Sequence, residues 1–378
     1  MTFNSWLSLS VIIFLSACGG GGSGTPNLGG QVAATAEGVG KLIFEDIRLS
    51  INENQSCASC HAASAGFADP DVTKTNPVSE GSIIGEFGNR NAPTSAYSKF
   101  SPAFALVHDS VRNEDIYTGG QFIDGRRDTL EEQAKDPFTN PVEMANPAPL
   151  AVVNKVRNGS YADKFIEVYG SNVFDNTATA FDRIAEAVAA FERSAEMNPF
   201  TSKFDCFAEN STLYPLSPQE QAGLDVFNGA GKCSSCHTST PDPVSGKVLF
   251  TSFQYFNIGV PSNPDNPVNT IDLGLGGRLA IEGVPAAAAE DGKFKTPTLR
   301  NIELTAPYMH NGVHATLKDV IQHYDIDVPS RFVEPEVIAN IASELEFDTF
   351  NNLNLSLQDY LDLEAFMKTL TDGTGTCF

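Results

Sequence analysis

The chain has 378 residues, of which 41% are hydrophobic and 19% are charged, and its formal net charge is −23. This size and composition are typical of a soluble globular protein with room for two domains, and they exclude a largely disordered chain. The negative charge argues against a nucleic-acid partner, whose phosphates would be repelled, and favours a basic protein partner or simple solubility.

The amino terminus has the features of an export signal. Residues 6–15 form an apolar run that is too short to cross a bilayer as a mature helix. The tetrapeptide LSAC that ends at Cys18 resembles the sequence before the lipidated cysteine of bacterial lipoproteins. No Lys or Arg precedes the run, so a signal with a coincidental cysteine is the alternative. We predict a lipoprotein signal peptide over residues 1–17, lipidation at Cys18, and a glycine-rich flexible tether over 18–35.

This interpretation also predicts where the protein resides. A lipidated cysteine would place it in the periplasm, attached to the outer membrane of a Gram-negative bacterium. Contact with the membrane would then occur only through the lipid anchor.

Two segments of the chain repeat the same pattern, a helix-like stretch followed by Cys-x-x-Cys-His. Glycine and phenylalanine stand four residues apart before each motif, at Gly40 and Phe44 and again at Gly223 and Phe227. That spacing puts both residues of a pair on one helical face. We interpret the repeat as an internal duplication of one small domain.

The rest of the chain is predicted to be mostly helical. Large apolar residues recur at helical spacing over 181–193, and helical patterns return at 316–324 and 356–370. Residues 241–292 are rich in Pro, Gly, Asn and Asp, which predicts a long irregular loop. A polar, Pro-containing stretch near 199–215 marks a domain boundary.

The predicted fold class is therefore mainly α, with long loops. Because Cys-x-x-Cys-His is the attachment sequence of haem c, the two domains are predicted to be cytochrome-c-like haem domains. The amino-terminal domain is predicted to cover residues 36–205. The carboxy-terminal domain is predicted to cover residues 206–378.

Each Cys-x-x-Cys-His motif predicts one covalently attached haem c, with thioether bonds to both cysteines and the histidine on the iron. A zinc half-site is disfavoured because the histidine follows the second cysteine immediately, whereas zinc ligands usually have more chain between them. A redox dithiol is disfavoured because no βαβ pattern surrounds either motif. The predicted haem attachment residues are Cys57, Cys60, Cys233 and Cys236, with His61 and His237 as iron ligands.

Two of the seven cysteines have no place in these motifs or in the lipidation signal. Cys206 and Cys377 either form a disulfide in an oxidising compartment or remain as two buried thiols. The sequence alone does not decide between these alternatives, because pairing depends on their distance in the fold.

Five further motifs follow one another in a characteristic order: RNAPT at 90–94, DGR at 124–126 with TLEEQA at 129–134, NPVEM at 140–144, KTPTLRN at 295–301 and TAPYMHNG at 305–312. With the two haem motifs, they make the chain resemble the bacterial di-haem cytochrome c peroxidases and their relatives around MauG. The resemblance covers residues of about 36–372, which is nearly the whole mature chain.

The resemblance implies that hydrogen peroxide reacts at the amino-terminal haem and that the carboxy-terminal haem relays electrons. It assigns Glu143 as the distal acid and base, with Gln133 in the same pocket. One carboxylate near the iron can take the proton that peroxide loses and return it to the departing water. From its position alone, Glu143 is better explained as a charge at a helix boundary after Asn140 and Pro141, and only the family pattern with Gln133 favours catalysis.

Three functions remain open at this point. The leading one is a peroxidase that takes electrons from a small redox protein, either a cytochrome c or a cupredoxin. The second is a MauG-like enzyme that oxidises side chains of a partner protein. The third is a non-enzymatic electron-transfer cytochrome in which both irons are six-coordinate.

The sequence departs from the classical family pattern at the first haem. Many members place a distal histidine shortly before the Asn-Ala-Pro turn, but residues 62–107 contain none. We predict that the iron bound by His61 is open, or holds only water, in the resting protein.

A second departure concerns the sixth ligand of the other iron. Classical members use a methionine in the helix after the His-x-Gly turn, whereas the same position here holds Tyr324, as in MauG. We predict Tyr324 as the ligand, with Met309 as the rival and a packing role for Tyr324 as the remaining alternative. Thr316 and Asp319 form a capping box that would begin this helix.

A third departure lies between the haems, where relatives usually carry a tryptophan that relays electrons. The position here is Ile123, and the only tryptophan of the chain is Trp6. Direct tunnelling or another residue must serve, and the sequence does not choose among Tyr97, Tyr117 and Tyr308 as radical sites.

The resemblance finally implies one calcium ion between the domains. Its ligands would be the Asn91 side chain and the carbonyl oxygens of Thr305 and Pro307, a set of oxygen donors that suits calcium. The alternative is an asparagine in a turn beside a hydrogen-bonded loop.

Overall fold

A computed structural model describes residues 34–110, 112–268, 270–325, 336–337, 353–375 and 377. The predicted signal peptide, Cys18 and all but the end of the tether lie outside the described residues. None of the described helices combines the length and the apolar character that crossing a membrane requires.

Helices dominate the described part of the chain and strands are few and short. In the first half the elements are α1 (Ala36–Phe44), α2 (Cys57–Cys60), β1 (Ala105–Asp109), β2 (Glu114–Thr118), α3 (Leu130–Gln133), α4 (Asp136–Thr139), α5 (Pro149–Arg157), α6 (Ala162–Tyr169) and α7 (Thr177–Glu192). In the second half they are α8 (Lys203–Glu209), α9 (Pro218–Asn228), β3 (Tyr255–Phe256), α10 (Gly274–Ile281), β4 (Phe294–Lys295), α11 (Leu317–Asp325) and α12 (Leu357–Lys368). The predicted class, mainly α, is confirmed.

The helix before the first haem motif packs directly on α7. Thr35 caps α1 by accepting a hydrogen bond from the Gly38 amide at 3.0 Å. At Gly40 the two helices are so close that an added Cβ would lie 1.8 Å from the carbonyl oxygen of Ala187. Beside this point the rings of Phe44 and Phe191 meet edge to face at 5.1 Å.

The helix before the second motif makes the same arrangement with α12. A capping box of Ser217 and Glu220 begins α9. A Cβ at Gly223 would lie 1.9 Å from the carbonyl oxygen of Asp362, and the rings of Phe227 and Phe366 lie 5.2 Å apart. Both predicted Gly-x-x-x-Phe faces therefore serve the same close helix contact.

Each helix pair has its own hydrophobic core. Residues 33–378 form one compact unit, so the division into domains at residues 205 and 206 stays a prediction. The first core contains Val39, Ile43, Val152, Ile184 and Val188, and the second contains Phe227, Phe250, Leu317, Ile321 and Phe366.

The region predicted as an irregular loop, 241–292, is more ordered than its composition indicates. It contains β3, α10 and a 3₁₀ turn at Ala287–Glu290, and its apolar residues Leu275 and Leu279 form a small third core with Tyr255. The hairpin of β1 and β2, which the sequence did not predict, packs its Phe104 and Tyr117 against this core.

One disulfide and one buried ion pair stabilise the carboxy-terminal half. Cys206 and Cys377 form a disulfide, which resolves the alternative that the sequence left open. The buried guanidinium of Arg300 donates to both carboxylate oxygens of Asp205, at 2.9 and 2.8 Å. Such a paired, bidentate arrangement is what a buried charge requires.

The close helix contacts predict that one added methyl group at either glycine lowers the stability of the fold. Gly40→Ala and Gly223→Ala should each lower the free energy of unfolding by roughly 2 kcal/mol, because the added carbon must push two backbones apart. Denaturant unfolding followed by circular dichroism would measure this.

Gly88→Ala is the matched control, because a Cβ there would lie 3.8 Å from its nearest neighbours. Equal stability of all three variants and the wild type would contradict the proposed packing constraint.

Candidate functional site

Both Cys-x-x-Cys-His motifs open into one continuous cavity of about 730 Å³. The first motif forms the short helix α2, and the second begins as a 3₁₀ turn at Cys233–Ser235. The predicted attachment residues Cys57, Cys60, Cys233 and Cys236 line this cavity, as do His61 and His237. The structure thus brings together the residues that the sequence predicted for two haem groups.

The two histidines are held in the same way. The Nδ1 atom of His61 lies 3.1 Å from the carbonyl oxygen of Phe67, and that of His237 lies 3.0 Å from the carbonyl oxygen of Phe250. A carbonyl only accepts, so Nδ1 carries the proton and Nε2 keeps its lone pair for a metal. Burial lowers the pKa of His61 and lowers that of His237 to about 4, so both rings are neutral near pH 7.

The cavity wall also suits a haem, which is a flat apolar ring with two carboxylates. Apolar side chains such as Phe44, Val188, Phe227 and Leu249 line it. Lys295 reaches the same cavity, and its ammonium group contacts Ser101 Oγ at 3.3 Å and the carbonyl oxygen of Gly120. Burial lowers the pKa of this lysine to about 7, and a carboxylate nearby would favour its charged form.

Short helices bring the predicted catalytic pair to the first half of the cavity. Thr129 caps α3 by accepting from the Glu132 amide at 3.2 Å, which places Gln133 at the end of that helix. Glu143 follows α4 in a turn, where its amide donates to the carbonyl oxygen of Asn140 at 3.1 Å. Gln133 and Glu143 line the same cavity as His61.

Glu143 is a buried carboxylate with unused bonding capacity. Its Oε2 atom has no hydrogen-bond partner among the described residues. Burial raises the pKa of Glu143, while the charge of Arg126 and a hydrogen bond from Asn140 oppose that shift. The carboxyl group therefore keeps its proton to a higher pH than an ordinary glutamate does.

An ionic cluster beside the cavity joins two of the motifs, at 90–94 and 124–126, to Asp272. Arg90 donates to Asp124 Oδ2 at 2.6 Å and to Asp272 Oδ2 at 2.6 Å. Arg126 contacts the other oxygen of Asp124 at 3.1 Å. Burial alone would raise the pKa of Asp124, but the two arginines lower it below its usual value.

The rival ligands for the second iron both reach the cavity. Tyr324 and Met309 line it together with His237. Tyr324 lies on α11, which begins with the predicted capping box, since the Asp319 amide donates to Thr316 Oγ1 at 3.1 Å. Burial raises the pKa of the Tyr324 phenol.

The neighbouring histidine on α11 has a structural contact of its own. The Nε2 atom of His323 lies 3.0 Å from the carbonyl oxygen of Ile258, and this ring does not line the cavity.

The residues predicted to bind calcium lie along the same wall. Asn91, Thr305 and Pro307 line the cavity, and Nδ2 of the Asn91 side chain donates to the carbonyl oxygen of Pro77 at 2.8 Å. Pro77 packs close to Pro307 around Gly312.

One acidic residue at the cavity was not recognised from the sequence. Glu192, near the end of α7, lines the cavity and is 5% exposed. Burial raises its pKa to about 8. In the sequence it reads as a polar position of an amphipathic helix, and only the packing of α7 on α1 and α3 reveals that it is buried.

Comparisons with known proteins agree with this geometry. The family model for di-haem cytochrome c peroxidase matches residues 34–212. The methylamine utilization protein MauG of Paracoccus denitrificans is 37% identical over 355 residues, which cover 88% of each chain. The cytochrome c551 peroxidase of Nitrosomonas europaea is 34% identical over 284 residues, covering 75% of this chain and 71% of that protein.

Solved structures give the same result. The diheme peroxidase BthA of Burkholderia thailandensis matches with a TM-score of 0.77 and 30% identity, over 89% of this chain and 86% of that chain. The predicted family and enzyme class are confirmed, which disfavours the non-enzymatic cytochrome. The chain belongs to the family of di-haem cytochrome c peroxidases and MauG, which are peroxide-dependent di-haem oxidoreductases.

Proposed function

We propose that this enzyme reduces hydrogen peroxide at a haem c held by Cys57, Cys60 and His61, with Glu143 as the acid and base. The observation that carries the proposal is that Glu143 and Gln133 share one buried cavity with His61. In this view each half of the chain is a cytochrome-c-like domain, and a second haem c is held by Cys233, Cys236 and His237.

A haem at the first site supplies the iron that binds peroxide and the capacity to hold oxidising equivalents. Glu143, in its ionised form, accepts the proton that peroxide loses on binding. The same carboxyl group then donates this proton to the distal oxygen, which leaves as water. Gln133 provides a neutral amide that can orient peroxide without competing for the proton.

The second half of the cavity supports storage of the other oxidising equivalent. Tyr324 is the proposed ligand there, with Met309 as the rival. An anionic oxygen ligand stabilises oxidised iron, so Tyr324 would favour a MauG-like reaction on a partner protein. With a methionine ligand, a peroxidase that draws electrons from a cytochrome c or a cupredoxin is favoured. The net charge of −23 suits a basic partner in either case.

Two further features belong to the proposal. A calcium ion held by Asn91 and the carbonyl oxygens of Thr305 and Pro307 would stabilise the wall between the haem sites.

Export to the periplasm and lipidation of Cys18 would place the enzyme at the outer membrane. Detergent-free extraction of Cys18→Ala, compared with the wild type, would test the anchor.

Low-temperature electron paramagnetic resonance of the resting protein tests the assignment of the two irons. We expect one high-spin signal, because residues 62–107 hold no histidine to close the first site, and one low-spin signal. Both should be lost on adding peroxide. Tyr324→Phe should change the low-spin signal, whereas Met309→Leu should leave it unchanged.

Two low-spin signals that do not change on adding peroxide would contradict the proposal. If Met309→Leu alone moved the low-spin signal, methionine would replace tyrosine as the ligand.

Replacement of the proposed acid and base gives a second test. Glu143→Gln should lower kcat/KM for peroxide by roughly 10²–10⁴-fold, the usual contribution of a positioned acid or base. Glu132→Gln, an exposed position on α3, is the control and should keep its activity. Unchanged turnover in Glu143→Gln would remove this residue from the mechanism.

The pH dependence of turnover gives a third test. Glu143 must be ionised to accept the first proton, so activity should fall as the pH drops through its pKa, which burial raises. Arg126 opposes that shift. In Arg126→Gln the acidic limb of kcat/KM should therefore move to higher pH.

Arg126→Lys keeps the charge and should retain the wild-type profile. An acidic limb that does not move in Arg126→Gln would show that another group controls it.

A further inference from the structure

The cavity holds two redox sites in a chain that lacks tryptophan after Trp6. Ile123 lines the cavity and has no oxidisable side chain. The aromatic residues with accessible oxidation chemistry are therefore tyrosines, and their phenols lose an electron readily only when a base takes the proton. The tyrosines differ in the hydrogen-bond partner of the phenolic oxygen.

Two of the three tyrosines left open by the sequence do not combine a place at the cavity with such a base. Tyr117 stacks on Phe104 at 5.1 Å and does not line the cavity. Tyr308 lines the cavity, but its hydroxyl donates to the carbonyl oxygen of Ile302 at 3.1 Å. A backbone carbonyl is a poor proton acceptor.

Tyr97 combines burial, the cavity and a carboxylate. It is 2% exposed and lines the cavity. Its hydroxyl donates to Asp372 Oδ2 at 2.6 Å and accepts from the Phe200 amide at 3.1 Å. Its backbone has a φ of 63°, a region that bulky residues seldom occupy, so the surrounding contacts fix this ring in place.

Hydrogen bonds connect Tyr97 to the first histidine through a short stretch of chain. The Ser95 amide donates at 2.9 Å to the carbonyl oxygen of Phe67. The same carbonyl holds Nδ1 of His61. Ser95 and His61 thus share one acceptor, the carbonyl oxygen of Phe67, and Tyr97 lies two residues after Ser95 in the chain.

A comparable connection runs to the second histidine. The guanidinium carbon of Arg300 lies 5.1 Å from the centre of the Tyr97 ring. Arg300 Nε donates to the carbonyl oxygen of Val248 at 2.8 Å, two residues before Phe250, whose carbonyl holds His237. Short chains of contacts therefore connect Tyr97 to both ligand anchors.

We propose that Tyr97 is the redox relay between the two haem sites. Tyr97 gives one electron to the oxidised site, its O–H bond breaks, and the proton moves along the hydrogen bond to Asp372 Oδ2. The product is a neutral phenoxyl radical and a protonated carboxyl group. An electron from the other site, with the proton from Asp372, restores the phenol.

The surrounding charges require the electron and the proton to leave together. Arg300 lies over the ring, and a positive charge there opposes a cationic radical. Asp372 also accepts from the Thr201 amide and from Asn301 Nδ2, both at 2.9 Å, which keeps its carboxylate aimed at the phenol. Asp372 is partly exposed, so it can also exchange its proton with solvent.

The proposal rests on the peroxide reaction proposed above, and one experiment separates the two. Haem-loaded protein is mixed with hydrogen peroxide, and optical and electron paramagnetic resonance spectra are recorded on rapidly frozen samples. The wild type should give an optical change and a radical signal that narrows when its tyrosines are ring-deuterated. No optical change would contradict the proposed function, whereas an optical change without a tyrosine signal would overturn only the relay.

Variants then assign the radical. Tyr97→Phe should keep the resting spectra but lose the radical signal, while Tyr308→Phe, the matched cavity-lining control, should keep it. Asp372→Asn retains the phenol without its base, and radical formation should slow by roughly 10²-fold, the contribution of a positioned proton acceptor. A tyrosine signal that persists in Tyr97→Phe, or a rate unchanged in Asp372→Asn, would overturn the proposal.

Discussion

The contact of two helices without an intervening side chain is the constraint on which the structure depends. At Gly40 and again at Gly223, a helix lies against the carbonyl of its partner at a distance that no Cβ permits. Each close contact sets the position of the helix that leads into a haem motif. The same helices supply cavity wall, with Phe44 on one side and Phe227 on the other. A shift at either crossing would therefore displace a cysteine pair and its histidine together.

The net charge of the chain does not describe the charges at the cavity. The chain is strongly acidic, yet the cavity wall carries basic side chains as well as acidic ones. Arg90 and Lys295 are both partly buried there, and Arg90 is held between two aspartates. A charge with little access to water is stable only when it is paired or bonded, so these contacts hold the surrounding loops in place.

Much of this arrangement is predictable from the sequence, because helical periodicity and capping residues act locally. Thr316 with Asp319 marked the start of α11, and the Gly-x-x-x-Phe spacing placed each glycine and its phenylalanine on one helical face. Other features depend on contacts between residues far apart in the chain. The ordered helix α10 forms because Leu275 finds Tyr255, although its surroundings are rich in turn-forming residues.

The same distinction between local patterns and long-range contacts applies to the polar residues of the site. Glu143 and Gln133 stand in recognisable motifs, whereas Glu192 looks like an ordinary surface position of α7. The carboxylate beside Tyr97 comes from Asp372, 275 positions further along the chain. No local pattern reports such a pairing, since it arises only when the carboxy-terminal segment folds back onto the amino-terminal half.

The disulfide between Cys206 and Cys377 has a consequence for how the protein matures. The four remaining cysteines of the described chain lie in the two haem motifs, and thioether formation with haem consumes reduced thiols only. Maturation must therefore oxidise one cysteine pair while keeping two closely spaced pairs reduced in the same compartment. Because thiol–disulfide exchange can interchange partners, haem insertion that precedes oxidation would remove the competing thiols. The order of these two steps then controls the yield of correctly assembled enzyme.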